Sequence, residues 1–117
     1  MIDDEPSIRR LIGYALERSG YTCAMAADGE EGLRVVRDQR PRLVILDVTL
    51  PRLNGYDVCA QIRQDPNLSH TYVLMLSAKG QEIDRERGFL AGADAYLTKP
   101  FRLRELLNRV AAVLEAD

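Results

Sequence analysis

Short apolar runs and stretches of helical period alternate along the whole chain, and few folds accommodate that rhythm. It predicts a parallel sheet covered by helices on both faces. Ile2 is the visible end of a first strand, and "YTCAMA", "RLVIL", "TYVLML" and "DAYL" read as the second to fifth. Between them, Ile8, Leu11, Ile12, Ala15 and Leu16 recur at the spacing of one inward helical face, closed by Ser19-Gly20. Asp28-Gly29 opens a second helix carrying Leu33 and Val36, and Val58, Cys59 and Ile62 line a third that stops near Asp65-Pro66. Leu103, Leu106, Leu107, Val110 and Leu114 stripe the last. The helix within "GQEIDRERGFLAGA" is the weak one. Asp84, Arg85, Glu86 and Arg87 leave only Ile83, Phe89, Leu90 and Ala91 to bury, which predicts poor anchorage and high mobility.

The architecture inferred is one five-stranded, doubly wound α/β domain spanning residues 1–117, three layers deep, in the flavodoxin-like strand order 2-1-3-4-5. One feature resists it. Only Met1 and Ile2 precede Asp3, whereas a strand usually runs about 5–6 residues, so the first strand is truncated although that order places it inside the sheet. We expect the chain as given to begin late within this strand, with strand exchange between chains as the alternative. An intact mass separates the two.

Composition narrows the function classes. Lys and Arg number 16 against 18 Asp and Glu, for a net charge of −2, and no basic patch or arm stands out, so direct nucleic-acid binding by this segment is not expected. The apolar runs fall far short of the roughly 18 residues a membrane span requires, and "MIDDEPS" is no secretory leader. Cys23 and Cys59 have neither metal-ligand nor disulfide spacing and read as packing residues of a cytoplasmic protein.

The residues that end the apolar runs carry the chemistry. Asp3 and Asp4 follow the first strand, Asp47 the third, Ser77 the fourth, and Thr98 and Lys99 the fifth. In an open α/β sheet the carboxyl ends of the strands line the ligand crevice, so these distant residues converge. An ionised Asp at the end of a run as apolar as "LVILD" needs solvent, a counter-ion or a metal. Like charges about 4 Å apart at an effective dielectric of about 20 repel by about 4 kcal/mol. A divalent cation resolves that repulsion, and Mg²⁺ suits an all-oxygen site with one or two carboxylates, water and a phosphate oxygen. Lys99 and Ser77 supply a compact positive charge and a hydroxyl for a phosphoryl group. These are the parts of a phosphoryl-transfer site.

At this point "DDEPSIRRLI", "LVILDVTLPRLNGYD", "LMLSAKG" and "GADAYLTKPF", in this order and spacing, are together specific: over essentially its whole length the chain resembles the receiver domain of two-component response regulators. The resemblance implies that Asp47 accepts a phosphoryl group from a histidine kinase or histidine phosphotransfer protein, as a carboxylate nucleophile. It implies Mg²⁺ or Mn²⁺ bound by Asp4, Asp47 and the backbone carbonyl of Thr49, with Asp3 acting through metal-bound water. Lys99 would hold one phosphate oxygen and Ser77 another, and Tyr96 would be the switch aromatic that turns inward as Ser77 moves. The bond from Lys99 to Pro100 is frequently cis in such proteins. The face of the fourth helix, fifth strand and fifth helix would then change its affinity for a downstream output domain or protein, or for a second copy of the chain. Such a domain promotes its own phosphorylation and dephosphorylation without being an enzyme in the conventional sense. Thr49 stands where the family often has Met; a carbonyl ligand tolerates the change, while the phosphate lifetime is left open.

Singly, these residues have plainer readings. Asp3 and Asp4 fit helix-entrance acids in "DEPS", Asp47 a strand-terminal acid, Lys99 a solvated lysine, Ser77 a cap and Tyr96 an edge-strand aromatic. Their joint placement at strand ends favours the site. Asp28 and Asp94 are read as cap and turn residues, and His70 as a surface residue. Three other classes compete. A receiver fold that works without phosphate would have lost the acceptor, acids or lysine, and an aspartyl-nucleophile phosphatase of the haloacid dehalogenase type wants a second Asp where Thr49 stands. A flavin module would want crevice aromatics and a phosphate-cradling loop, and neither is present in the sequence.

Overall fold

The computed structural model describes residues 1–50, 53–78 and 91–115. Strands β1 (Leu43–Asp47), β2 (Tyr72–Ala78) and β3 (Ala95–Lys99) form a parallel sheet in that order, with Leu43 opposite Tyr72 and Leu74 opposite Ala95. Ile2 makes parallel bridges to Ala26 on one side and Leu46 on the other. The order across the sheet is therefore Ala26, Ile2, β1, β2, β3, which is the 2-1-3-4-5 arrangement with its first two strands shrunk to single bridges. Backbone bonds pin the short piece: Ile2 N–H donates to Ile45 (2.8 Å), Asp47 N–H to Ile2 (2.9 Å) and Asp3 N–H to Ala26 (3.1 Å).

Side chains alternate between the faces, as a pleated strand demands. Val44, Leu46, Val73, Met75 and Tyr96 join one buried cluster, and Ile45, Leu74, Leu76, Ala95 and Leu97 join the other. Helices α2 (Gly29–Gln39) and α3 (Gly55–Gln64) cover the first through Leu33, Val36, Val58, Cys59 and Ile62. Helices α1 (Pro6–Arg18) and α4 (Leu103–Leu114) cover the second through Ile12, Leu16, Leu106 and Val110. Caps fix where helices start. The Asp28 carboxylate accepts from Glu31 N–H (2.9 Å) and the Asn54 side chain from Asp57 N–H (3.0 Å), each satisfying an otherwise orphaned donor.

Three expectations need revision. "YTCAMA" makes no strand; only Ala26 pairs, because its neighbour in the sheet extends no further than Ile2. A cavity of about 350 Å³ is lined by Met1, Cys23, Met25, Val36 and Val44 among others. Leu11 is not inward but 54% exposed, since the buried stripe of α1 narrows to Ile12, Gly13 and Leu16. Asp94 is more than a turn residue. Its carboxylate accepts from Arg63 and from Val73 N–H (2.8 Å), while Arg63 also donates to the carbonyls of Gly92 and Thr71 (2.7 Å each). This clamp ties α3 to the entrances of β2 and β3. The weak helix predicted between the fourth and fifth strands falls mostly on residues 79–90, which lie outside those described.

Cys59 is buried, and burial pushes its thiol up to about 11, in keeping with a packing role. His70 is exposed. No described helix is long and apolar enough to cross a membrane.

Candidate functional site

Parallel register delivers the polar residues to one edge. Asp47 ends β1 opposite Leu76, Ser77 follows on β2 opposite Thr98, and Lys99 ends β3 opposite Ala78. Asp3 enters beside Asp47, since its neighbour Ile2 accepts the Asp47 N–H. From β3, Lys99 Nζ reaches back across the strand ends to Asp3 Oδ2 and Asp47 Oδ2, 3.3 Å from each. The peptide bond from Lys99 to Pro100 is cis.

The two carboxylates are held alike. Asp3 Oδ1 accepts from Glu5 N–H (2.9 Å) and Asp47 Oδ1 from Thr49 N–H (3.2 Å), so in both one oxygen is fixed by backbone and the other faces the ammonium. Asp3 is fully buried and Asp47 and Ser77 nearly so, whereas Asp4 and Thr49 are exposed. Burial pushes the Asp47 carboxyl above its ordinary range; Lys99 opposes the shift, Asp3 adds to it and the Thr49 N–H opposes it again. Burial alone would lower the Lys99 ammonium, but Asp47 and Asp3 more than offset that, and its pKa is raised. One cation between two buried anions leaves net negative charge in the crevice. Arg9, donating to the Asp3 carbonyl (2.6 Å), binds the start of α1 to the same strand end.

A third anion completes the cluster. Carboxylate oxygens of Asp3, Asp4 and Asp47 lie within 4.8 Å of one another, the all-oxygen, multiply charged set that suits a hard divalent cation. Asp4 brings its group from the solvent side, and Asp3 already has both oxygens engaged. Thus Asp3, Asp4, Asp47 and Lys99 converge, with the Thr49 N–H on the Asp47 carboxylate. Ser77 stands on the neighbouring strand, on the same face as Tyr96 by strand alternation.

Tyr96 is buried, its hydroxyl 3.3 Å from that of Tyr56, in the first turn of α3. Tyr56 was not among the residues singled out from sequence, and no local pattern marks it: the contact spans 40 positions. Gly55, just before it, is explained by crowding. A Cβ there would run into the Asp47 carbonyl and lie 2.8 Å from Val48 Cα, so only glycine lets the turn after Asp47 close on that residue's own backbone.

Comparison with known proteins agrees with this geometry. The family model described as the response regulator receiver domain matches residues 1–111. The alkaline phosphatase synthesis transcriptional regulatory protein PhoP of Bacillus subtilis is 48% identical over 114 residues, covering 97% of this chain and 47% of that protein. The chain spans about half the length of the curated relatives it matches. A response-regulator structure from Chloroflexus aurantiacus superposes with a TM-score of 0.91 at 37% identity, covering 98% of this chain and 94% of that one. The receiver domain of the sensor histidine kinase PA1611 from Pseudomonas aeruginosa, solved with a magnesium ion in its active-site cleft, gives 0.89 at 30% identity with the same coverages.

Proposed function

Because the chain belongs to the response regulator receiver family, we propose that Asp47 is its phosphoacceptor, charged by a histidine kinase or histidine phosphotransfer protein. The observation that carries the assignment is the Asp47 carboxylate itself: buried at a strand end, one oxygen fixed by the Thr49 N–H and the other 3.3 Å from Lys99 Nζ. In the transfer, an Asp47 oxygen forms the new bond to phosphorus while the bond from phosphorus to the donor's imidazole nitrogen breaks, and the imidazole leaves with the bonding pair. Lys99 stays beside the incoming group and neutralises its charge, and Ser77 donates its hydroxyl to a phosphate oxygen.

Asp4, Asp47 and the Thr49 carbonyl would hold Mg²⁺, with Mn²⁺ as substitute, and Asp3 would orient metal-bound water. The cation supplies charge neutralisation for the phosphoryl oxygens. The clustered carboxylate oxygens support this reading, and so does the magnesium in the PA1611 receiver domain. The domain is a regulatory phosphoacceptor that acts on itself.

Ser77 lies two positions beyond Met75, the partner of Tyr96, so a shift of β2's end toward phosphate is felt at the Tyr96 ring. The Tyr96 ring is buried, and the phosphoryl group would bias the population of that position. The signal emerges on the face of β3 and α4, together with the predicted helix before them, towards an output domain or a second copy of the chain. PhoP, described as a transcriptional regulatory protein, suggests a transcriptional output for the longer relatives; we assign the receiver no nucleic-acid contact, a cytoplasmic location and one domain over residues 1–117.

Incubation with acetyl phosphate or phosphoramidate and Mg²⁺ tests the assignment by intact mass. One acid-labile phosphate on the native chain and none on Asp47→Asn is expected. Equal labelling of the variant overturns it.

A further inference from the structure

The turn that follows the acceptor is locked onto it. Gly55 N–H donates to the Val48 carbonyl (2.9 Å), and the Gly55 Cα sits so close to the Asp47 carbonyl that no side chain fits. Tyr56 is thereby fixed relative to the acceptor's peptide. From the first turn of α3 its buried side chain reaches the sheet and meets Tyr96, hydroxyl to hydroxyl, at 3.3 Å. Both rings belong to the buried cluster on the α2 and α3 side. A hydrogen bond between two buried hydroxyls adds to the other interactions of each ring, so each tyrosine favours the position in which the other is present.

We propose that Tyr56 is a positioning residue for the switch: its hydroxyl holds the Tyr96 ring in the buried position and ties that position to the Asp47 backbone. The path runs from the Asp47 carbonyl through Gly55 and Tyr56 to Tyr96. It does not pass through Ser77, which reaches Tyr96 along the paired strands β2 and β3. The acceptor therefore has two mechanical links to one aromatic ring, one through the α3 turn and one through the sheet. The inference rests on the reading of Asp47 as phosphoacceptor only for its consequence under phosphorylation; the hydroxyl pair itself does not.

Fluorine NMR of the full chain, with fluorotyrosine introduced at position 96 alone, reads the buried and exposed populations of that ring. Spectra are taken in EDTA and with Mg²⁺ and beryllofluoride, a mimic of the acyl phosphate. Tyr56→Phe keeps the ring volume and removes only the hydroxyl, so it should lower the buried-to-exposed ratio about fivefold in EDTA, the factor carried by a hydrogen bond of about 1 kcal/mol. By linkage the variant should need a correspondingly higher beryllofluoride concentration to bury Tyr96. Combining it with Ser77→Ala should multiply the two single effects, as independent routes require. A ratio unchanged in Tyr56→Phe, whatever its effect on melting, overturns the proposal. So does an effect that vanishes in the Ser77→Ala background, which would make Tyr56 a part of the sheet route. If the native chain instead takes up no phosphate on Asp47, the phosphoacceptor reading fails while the EDTA ratio still decides the role of the hydroxyl pair.

Discussion

Replacing Lys99 with methionine keeps much of the side chain's length and apolar contact while deleting its charge. Lys99 Nζ lies 3.3 Å from both Asp3 Oδ2 and Asp47 Oδ2, its side chain is 27% exposed, and the two carboxylate side chains are 0% and 8% exposed. At an effective dielectric of about 20, unit charges about 4 Å apart interact by about 4 kcal/mol. The substitution removes two attractions of that order and leaves the repulsion between the carboxylates unopposed. Partial solvent access to Lys99 and proton uptake by Asp47 reduce the loss, so we expect about 3–5 kcal/mol, the usual cost of deleting one partner of a buried pair. That is a large part of the roughly 5–15 kcal/mol that holds a typical domain folded.

Urea unfolding in EDTA measures it, and magnesium supplies the discriminating arm. If Lys99 and the cation neutralise the same carboxylates, the variant gains more from Mg²⁺ than the native chain does. Ligand at about 100 times its Kd adds about 2.7 kcal/mol, enough to recover over half the loss. The pH dependence has a definite sign. Burial already raises the Asp47 pKa in the folded state, and loss of the ammonium raises it further. The folded variant then binds more protons than the unfolded chain between the ordinary carboxylate pKa and that raised value, so its stability falls as pH rises through this window. An unchanged midpoint in EDTA, or an equal magnesium increment in both proteins, refutes the shared-carboxylate account.

Arg63→Ala should cost about 3 kcal/mol in urea unfolding, because it removes bonds to the Gly92 and Thr71 carbonyls and to Asp94; a loss under 1 kcal/mol would demote the clamp to surface decoration. Gly55→Ala forces a Cβ against the Asp47 carbonyl and Val48 Cα, so about 1–3 kcal/mol of destabilisation is expected, with weaker Mg²⁺ binding by titration calorimetry as the site-specific sign.

The strands were legible because their signal is local: apolar runs bounded by turn residues. The runs nevertheless end before the strands do. "RLVIL" and "DAYL" stop short of Asp47 and Lys99, which lie inside β1 and β3. Backbone pairing does not require apolar side chains, so the ladder continues into the polar residues that make the site. The second strand pairs only at Ala26 because the neighbour in the chain as given offers only Ile2, a truncation already visible in the sequence. Leu11 was placed inward because helical period identifies a stripe without fixing its width. Arg63 with Asp94, and Tyr56 with Tyr96, join residues 31 and 40 positions apart; each looks ordinary in its own segment. Asp3, Asp4, Asp47 and Lys99 were recoverable over even longer separations, because one topological rule sends all parallel strand ends to one edge.

The same rule bears on how a site of this kind would signal under the proposed function. Backbone N–H groups of Glu5 and Thr49 fix one oxygen of each buried carboxylate, and those donors belong to the turns that leave the strands. The other oxygens share one ammonium that comes from a third strand. If Asp47 takes up a phosphoryl group as proposed, the added charge would be balanced by moving Lys99, Ser77 or a cation, while the strand that carries Asp47 stays in register with the sheet. A strand end is the place where such movement costs least, since the ladder stops there while the buried faces of β1, β2 and β3 remain packed on both sides. Tyr96, three residues before Lys99, lies on that boundary: its ring is in the core and its strand runs into the site. Under the proposed function, a change of charge at the edge would reach a large apolar group through one strand.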